Sequence, residues 1–189
     1  MCLRDVYWEV LISLKSIISS KWLPRTGRFF AVAALTLTTL SGWVAPALST
    51  PPREAIVIRE RFAKTVRALL ASQERWILVD LKTQRLIALE GANPVYAIAI
   101  STGKASTPTR PGIFKIQTKV AKQRMRGADY NLPNVPYVMF YQGNYAIHGA
   151  YWNRQFGKPV SHGCVNVAVN HAGWLFDWAS VGTPVVINP

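Results

Sequence analysis

The stretch "IHGAYWNRQFGKPVSHGCVNV", residues 147–167, places one cysteine after two His-Gly dipeptides. His148-Gly149 ends an apolar run, and His162-Gly163 directly precedes Cys164. A cysteine attacks as its thiolate, and a free thiol with a pKa of about 8.5 is mostly protonated at neutral pH. The segment therefore supplies a nucleophile together with histidines that can activate it.

Of the two histidines, His148 is the better candidate for the base that deprotonates Cys164. It lies at the end of a predicted strand, which fixes its ring, while the loop 151–160 folds back and brings the cysteine to it. Gly163 removes a side chain where an acyl group must approach the backbone. Consecutive N–H groups around such a turn can bind the oxyanion of a tetrahedral intermediate. The residues by themselves indicate a thiol acyl-transfer site.

Two other interpretations of the same residues stay open. One makes Cys164 an inert core cysteine, against which its polar neighbours on both sides argue. The other is a zinc site, whose spacing follows none of the usual paired-ligand patterns and whose ligands would be His148, His162, Cys164 and His171. We expect His171 to be a structural histidine on a helix, and we expect neither a metal nor a cofactor.

An uncharged stretch, residues 29–52, comes after Arg25 and Arg28. A basic flank, an apolar segment and a small-residue site such as Ala45-Pro46-Ala47 are typical of an export signal, and the apolar part is short for a membrane-spanning helix. The alternatives are an uncleaved membrane anchor through residues 29–45 and, last, a buried core helix. With a signal or an anchor, the sequence predicts an exported protein of the periplasm or cell envelope.

The 28 residues before this stretch are long for the start of an export signal. Their segment "VYWEVLISLKSIISSKW" has the apolar spacing of an interfacial helix, and the alternative is that synthesis starts downstream of it. Cleavage after Ala47 would remove Cys2 and leave Cys164 as the only cysteine of the exported protein. A lone exported cysteine indicates a free reactive thiol or an intermolecular link.

The chain is strongly basic, with 22 Lys and Arg against 9 Asp and Glu and a net charge of +13. From Leu48 onward the count is 17 against 7, so +10 belongs to the exported part. Such a charge favours nucleic acid, anionic lipid or a carboxylate-rich polymer such as a cell wall. No zinc finger, helix-turn-helix spacing or RNA-binding aromatic signature is present, and we expect no nucleic-acid partner.

Hydrophobic periodicity divides the chain into three parts. Residues 1–47 are the prefix and the export signal or anchor, residues 48–73 hold a linker and a short amphipathic helix, and residues 74–189 form the main domain. Short runs rich in Val, Ile, Tyr and Phe predict a mostly β domain, with strands at 76–81, 85–90, 96–101, 112–117, 137–141, 145–150 and 184–187. One short helix is predicted within "VNHAGWLFDWAS", directly after the cysteine motif.

The opening segment resembles the signature of the L,D-transpeptidases of the YkuD family. That signature is a His-Gly strand end, a loop, and then Ser-His-Gly-Cys-x-Arg or Asn. The stretch "STPTRPGIFKI" (106–116) is similar to the Thr-Pro-x-Gly-x-Phe hairpin of the family, and "YNLPNVPYVMF" (130–140) to the stretch before its catalytic histidine. The likeness covers roughly residues 74–187, and it implies a YkuD-like β-sandwich.

The resemblance also implies roles for individual residues. Cys164 is then the nucleophile and His148 its base, with the Gly149 carbonyl orienting the imidazole. The backbone around His162, Gly163 and Cys164 forms the oxyanion hole.

Four further residues take roles from the same likeness. Ser161 and Asn166 support the motif, although the family more often has arginine where Asn166 stands. Tyr130 falls where some relatives place a tyrosine hydroxyl near the oxyanion hole, and Trp152 where the substrate loop contacts the donor peptide.

The chemistry implied by the family is acyl transfer between peptidoglycan stem peptides, which supply both donor and acceptor. The thiolate attacks the third residue of a tetrapeptide stem, releases the terminal D-Ala and passes the acyl group to an amine of a neighbouring stem, giving a 3-3 cross-link. Alternatives are an L,D-carboxypeptidase, attachment of a lipoprotein to peptidoglycan, or an inactive wall-binding or zinc-binding module. The family further implies acylation by carbapenem-type inhibitors.

One basic segment, residues 115–127, has no role in the chemistry described above. It contains Lys115, Lys119, Lys122, Arg124 and Arg126. We expect a solvated hairpin face there, and the functional alternative is attraction of stem carboxylates.

Overall fold

The computed structural model describes residues 53–189. The predicted export signal or anchor, the prefix before it and Cys2 lie outside the described residues. The elements, in chain order, are α1 (Arg53–Ala71), β1 (Arg75–Asp80), β2 (Arg85–Glu90), β3 (Asn93–Ala99), β4 (Gly112–Lys115), β5 (Thr118–Arg126), β6 (Asn131–Gln142), β7 (Tyr145–Gly149), β8 (Val165–Val167), α2 (Val169–Trp178) and β9 (Pro184–Asn188).

Two sheets form the predicted β-sandwich. The first has the strand order β3-β2-β1-β9-β4, and the second has the order β5-β6-β7-β8. The main core lies between them and contains buried side chains from both sheets, including Ile77, Val79, Met139, Ile147 and Val165. The mostly β fold, with one short helix after the cysteine motif, is confirmed.

Strands β1 and β2 are buried on both faces. Ile77 and Val79 point into the sandwich core, whereas Trp76 and Leu78 belong to a second buried cluster on the other side of the sheet. This explains why the sequences of these strands are continuous apolar runs and do not alternate between apolar and polar residues. The second cluster includes Leu69 of helix α1, so the helix covers the outer face of the sheet. The sequence predicts the helix but not this contact.

The sequence does not predict two of the strands, and β5 is the longer of them. Most of its side chains are exposed and polar, so it lacks the apolar pattern by which strands are recognised. It pairs antiparallel with β6 and forms the expected hairpin, and Lys122 and Arg124 are exposed on it.

Lys119 departs from the expectation of a solvated hairpin face. It is half-buried, and its ammonium donates hydrogen bonds to the carbonyls of Phe176 and Ala179 at the end of α2. A cation there satisfies carbonyls that the helix leaves free. Lys119 therefore stabilises helix α2 and is not available to bind stem carboxylates.

The second unpredicted strand, β8, positions the cysteine motif. It has only three residues and pairs parallel with β7, with His148 opposite Asn166. A parallel pair needs a long crossover, which is provided here by the segment between Gly149 and Val165. The end of this crossover carries Cys164 to the strand that bears His148. Within residues 53–189, no helix is long and apolar enough to span a membrane.

We predict that Leu69→Ala destabilises the domain, because Leu69 is 6% exposed and packs in the cluster between α1 and the sheet. Removing a buried leucine side chain costs roughly 2–4 kcal/mol of unfolding free energy. Urea denaturation measures this cost. Lys64→Ala on the exposed face of the same helix is the control and should stay within about 0.5 kcal/mol of wild type. Equal stability of both variants would show that the helix does not contribute to the domain.

Candidate active site

A cleft of about 430 Å³ lies where the crossover meets the β5–β6 hairpin; we call it the catalytic cleft. It is lined by Met125, Tyr130, Leu132, His148, Trp152, Asn153, Arg154, Gln155, Val160, Ser161, His162, Cys164 and Asn166. Seven of the nine residues singled out in the sequence therefore line one cleft. The other two, Gly149 and Gly163, lie beside it in the chain.

His148 is held in a defined orientation on β7. It is 2% exposed, and its Nδ1 lies 3.1 Å from the carbonyl oxygen of Gly149. Because a carbonyl only accepts hydrogen bonds, Nδ1 carries the proton and Nε2 is left as the basic nitrogen of the neutral ring. Burial lowers the pKa of His148 from 6.5 to about 4, and the bond to Gly149 opposes that shift. His148 is therefore neutral at pH 7, which is the form a base requires.

Cys164 is a half-buried free cysteine. Its Sγ lies 3.7 Å from the carbonyl oxygen of Asn144, to which the thiol donates. Burial raises the pKa of the thiol, and a hydrogen bond from the backbone of Ala146 acts in the opposite direction. The thiol is therefore protonated in the free protein, and it needs a base to become a nucleophile.

The loop that carries Cys164 is fixed by small polar side chains. The Ser161 hydroxyl donates to the Cys164 carbonyl and accepts from the Gly163 N–H at 3.0 Å. The Ser161 N–H in turn donates to the Thr102 carbonyl at 2.9 Å. The Thr109 hydroxyl donates to the Gly163 carbonyl at 2.7 Å. The motif loop is thus tied to the segment 101–109.

Sequence reasoning does not identify Thr102 and Thr109 as part of the site. Both are 2% exposed. Thr109 lies within "STPTRPGIFKI", whose likeness to a family hairpin is the one available signal for it. Thr102 carries no signal, because a lone threonine near a strand end has no distinctive pattern.

Glycine is the one residue type that fits position 163. Its φ is +118°, and a Cβ built there would lie 2.7 Å from the ring of Tyr145. The Gly163 N–H is occupied by Ser161, whereas the N–H groups of His162 and Cys164 have no hydrogen-bond partner among the described residues. The free donors of the predicted oxyanion hole are therefore those of His162 and Cys164.

His162 is exposed at the mouth of the cleft. Its Nε2 lies 2.9 Å from Oδ2 of Asp129 and 3.5 Å from Nζ of Lys104, and its ring is 4.7 Å from that of Tyr130. The hydrogen bond from His162 lowers the pKa of Asp129. His162 is thus engaged with the tip of the β5–β6 hairpin, which agrees with the choice of His148 as the base.

Tyr130 and Trp152 are aromatic walls of the catalytic cleft. Burial raises the pKa of Tyr130, and the charges of Cys164 and Asp129 add to this, so the hydroxyl stays protonated and can donate. The Trp152 ring lies 5.7 Å from that of His148 and helps to exclude water from it. Both positions suit the predicted contacts with substrate, and the roles of the two residues remain predictions.

Asn166 lies on β8 with 4% exposure. Its backbone N–H and C=O pair with Ser101, at 2.8 and 3.0 Å, and its side chain lines the cleft. Asn166 thus holds the motif through its backbone bonds to Ser101, and not through a charged side chain such as the arginine more common in the family.

The four ligands of the zinc hypothesis are not brought together. His171 lies on α2, where its Nδ1 is 2.7 Å from the Tyr96 hydroxyl, and it does not line the cleft. In the part of the chain from residue 53 onward, no three His, Cys, Asp or Glu side chains form a group that could hold a metal ion.

Comparison with known proteins places the domain in a family. Residues 74–187 match the L,D-transpeptidase catalytic domain, YkuD, and make up more than half of the chain. L,D-transpeptidase 1 of Mycobacterium tuberculosis is 36% identical over 100 residues, which cover 46% of this chain and 39% of that protein. The chain thus matches well under two thirds of the length of this curated relative.

Solved structures agree with this assignment. An L,D-transpeptidase from Mycobacterium smegmatis superimposes with a TM-score of 0.58 at 25% identity, over 61% of this chain and 59% of that one. The catalytic domain from the E. faecium L,D-transpeptidase gives a TM-score of 0.56 at 28% identity, over 61% of this chain and 97% of that domain. The chain belongs to the L,D-transpeptidase catalytic domain (YkuD) family.

Proposed function

We propose that the protein is a cysteine acyltransferase that forms 3-3 cross-links in peptidoglycan. The observation that carries the proposal is the presence of Cys164 and a neutral, buried His148 in one cleft. Membership of the family supports the same chemistry. The net charge of +10 from Leu48 onward suits a substrate that bears carboxylates.

In the first half-reaction, a tetrapeptide stem acylates the enzyme. The proton of the Cys164 thiol passes to Nε2 of His148 while sulfur bonds to the carbonyl carbon of the third stem residue. The negative charge that develops on the carbonyl oxygen is stabilised by the free N–H groups of His162 and Cys164. Collapse of this intermediate breaks the bond to D-Ala, and the imidazolium returns the proton to the leaving amine. A thioester on Cys164 and free D-Ala result.

In the second half-reaction, the amine of a neighbouring stem attacks the thioester carbonyl. His148 accepts a proton from this amine, the carbon–sulfur bond breaks, and the proton returns to sulfur. The product is an amide between the third residues of two stems, and the thiol is regenerated. Attack by water instead would make the enzyme an L,D-carboxypeptidase, and attack by a protein amine would attach a lipoprotein.

Inhibitor complexes of relatives support binding of β-lactam-type inhibitors. One solved L,D-transpeptidase, 25% identical to this chain, is in complex with imipenem, and another, 29% identical, is an avibactam carbamoyl enzyme. We therefore propose that carbapenems acylate Cys164 by opening of the β-lactam ring, with the thiol proton passing to the ring nitrogen.

The test is incubation of the full-length protein with disaccharide-tetrapeptide, and then mass spectrometry for dimers and free D-Ala. We predict both products for wild type and neither product for Cys164→Ala, because Cys164 is the one thiol among residues 53–189 and the Ser161 hydroxyl is bonded to the Cys164 carbonyl. Intact-mass analysis with imipenem should likewise show one adduct on wild type and none on this variant. Activity of Cys164→Ala within about tenfold of wild type would rule out the mechanism, and release of D-Ala without dimers would identify a carboxypeptidase.

We predict that the acid limb of kcat/KM for D-Ala release has its midpoint near pH 4, because burial lowers the pKa of His148 to about 4 and the base must be unprotonated. Activity should therefore be nearly constant between pH 6 and 8. A solvent-exposed histidine would place the limb at about 6.5. His148→Ala should reduce the rate at least about 100-fold. His171→Ala, outside the cleft, is the matched control, and an equal loss in both variants would contradict the role of His148.

We propose that the domain acts outside the cytoplasmic membrane, because basic residues before an apolar segment direct the chain beyond that segment to the outside. Arg25 and Arg28 precede the uncharged stretch 29–52. A reporter enzyme that is active only when exported, fused after Pro189, should be active. The N-terminus of the mature protein then distinguishes a cleaved signal from an anchor. Activity of a cytoplasm-dependent reporter at the same site, with the first one inactive, would refute export.

A further inference from the structure

A second cleft, of about 580 Å³, adjoins the catalytic cleft along the crossover. It is lined by Tyr137, Ala150, Tyr151, Asn153, Arg154, Phe156, Ala168, Val169, Asn170 and Gly173. It has no part in the reaction steps derived above. We call it the second cleft.

Two residues line both clefts, Asn153 and Arg154. Asn153 is 8% exposed, and its side chain donates to the Ser101 hydroxyl and accepts from the Gln155 N–H. The wall between the clefts is therefore fixed to the same segment, 101–109, that supports the motif loop. The second cleft also reaches Ala150, which is two residues from His148 in the chain.

The second cleft is cationic. Arg154 is exposed, no Asp or Glu lines the cleft, and no acidic partner of Arg154 occurs among the side chains of residues 57–189. A guanidinium without a counter-ion on a concave surface is suited to bind a carboxylate in a bidentate manner.

Aromatic side chains form part of the remaining walls. The Tyr151 hydroxyl donates to the Pro133 carbonyl at 2.8 Å, which fixes that wall to the β5–β6 hairpin. Tyr137 has a φ of +56°, which is rare for a bulky residue, and its ring contacts Phe176. Backbone strain of this kind persists where the surrounding structure holds it, and it is concentrated at ligand sites. A preformed, partly apolar cleft with one cation suits a peptide that carries a carboxylate.

We propose that the second cleft binds a carboxylate of the acceptor stem peptide, an inference that rests on the proposed transpeptidase function. Cross-linking brings two stems to Cys164, and the donor occupies the catalytic cleft. The second cleft shares Arg154 and Asn153 with the catalytic cleft, and it reaches Ala150 just after the strand that bears His148. A stem bound there would direct its amine to the thioester and to His148.

Two variants test this role, with one control. Arg154→Gln removes the cation. Asn170→Asp places a negative charge in the second cleft only, and it preserves the fold because an acidic residue in the first turn of a helix is stabilising. Lys158→Gln removes a charge from an exposed position of the same crossover that lines neither cleft. It is the matched control.

The assay uses full-length protein, a fixed concentration of disaccharide-tetrapeptide and a varied concentration of labelled disaccharide-tripeptide. The tripeptide has no terminal D-Ala to release, so it acts as acceptor and not as donor. We expect the KM for the tripeptide to rise about tenfold or more in Arg154→Gln and Asn170→Asp, as for loss of a charged hydrogen bond. In Asn170→Asp, whose position lines the second cleft only, the KM for the tetrapeptide as donor should change less than about twofold. Lys158→Gln should resemble wild type.

Unchanged acceptor KM in both variants would overturn the inference. An equal rise in the donor and acceptor KM values of Asn170→Asp would also overturn it, because the second cleft would then not distinguish the acceptor from the donor. Calorimetric binding of the tripeptide to the unacylated protein separates this result from failure of the proposed function. If wild type forms no dimers but binds the tripeptide, and both variants bind about tenfold more weakly, the second cleft is a stem-peptide site in an enzyme of another acyl-transfer class. If the tripeptide does not bind, and Arg154→Gln forms dimers as wild type does, the second cleft is not a stem-peptide site.

Discussion

The site depends on the hydrogen bonds that join the motif loop, residues 161–164, to the segment 101–109. Ser161 and Gly163 bond to Thr102 and Thr109, and these threonines are buried. Because these bonds occupy Ser161 and the Gly163 carbonyl, the loop cannot rotate its peptide planes freely. The N–H groups of His162 and Cys164 have no partner among the described residues, which is the condition for an oxyanion hole that needs no rearrangement during reaction. The β-sandwich serves to hold two distant segments of the chain in this contact.

Burial determines the protonation state of the catalytic pair. It raises the pKa of the Cys164 thiol and lowers that of the His148 imidazole, so both shifts favour the neutral pair over a thiolate and an imidazolium. A resting thiol reacts slowly with oxidants and stray electrophiles, which would suit the export that we propose, since Cys164 is the one cysteine among residues 53–189. In the reaction that we propose, proton transfer to His148 is coupled to attack on the substrate, and the hydrogen bond from the Ala146 backbone favours the developing thiolate.

The sequence predicts the parts of the structure that carry strong local patterns. Strands β1 and β2 are apolar, and the motif around Cys164 has a distinctive spacing, so the fold class and most cleft residues can be identified. Strand β5 cannot be predicted from the sequence, because most of its side chains are exposed and polar. Its strand conformation depends on pairing with β6, which no local pattern shows. The expectation for Lys119 is wrong for the same reason, since its partners are carbonyls of a helix more than 50 residues away. The positions of Thr102 and Arg154 also depend on tertiary contacts, which single residues do not reveal.

In the reaction that we propose, Cys164 carries the acyl group. A single-turnover reaction with enzyme in excess over disaccharide-tetrapeptide, quenched in acid and mapped by peptide mass spectrometry, tests it most directly. We predict a transient adduct of the stem without its terminal D-Ala on the peptide that contains Cys164. This adduct should be released by hydroxylamine, as expected of a thioester. Formation of product with no such adduct, or an adduct on another residue, would show that Cys164 is not the acyl carrier.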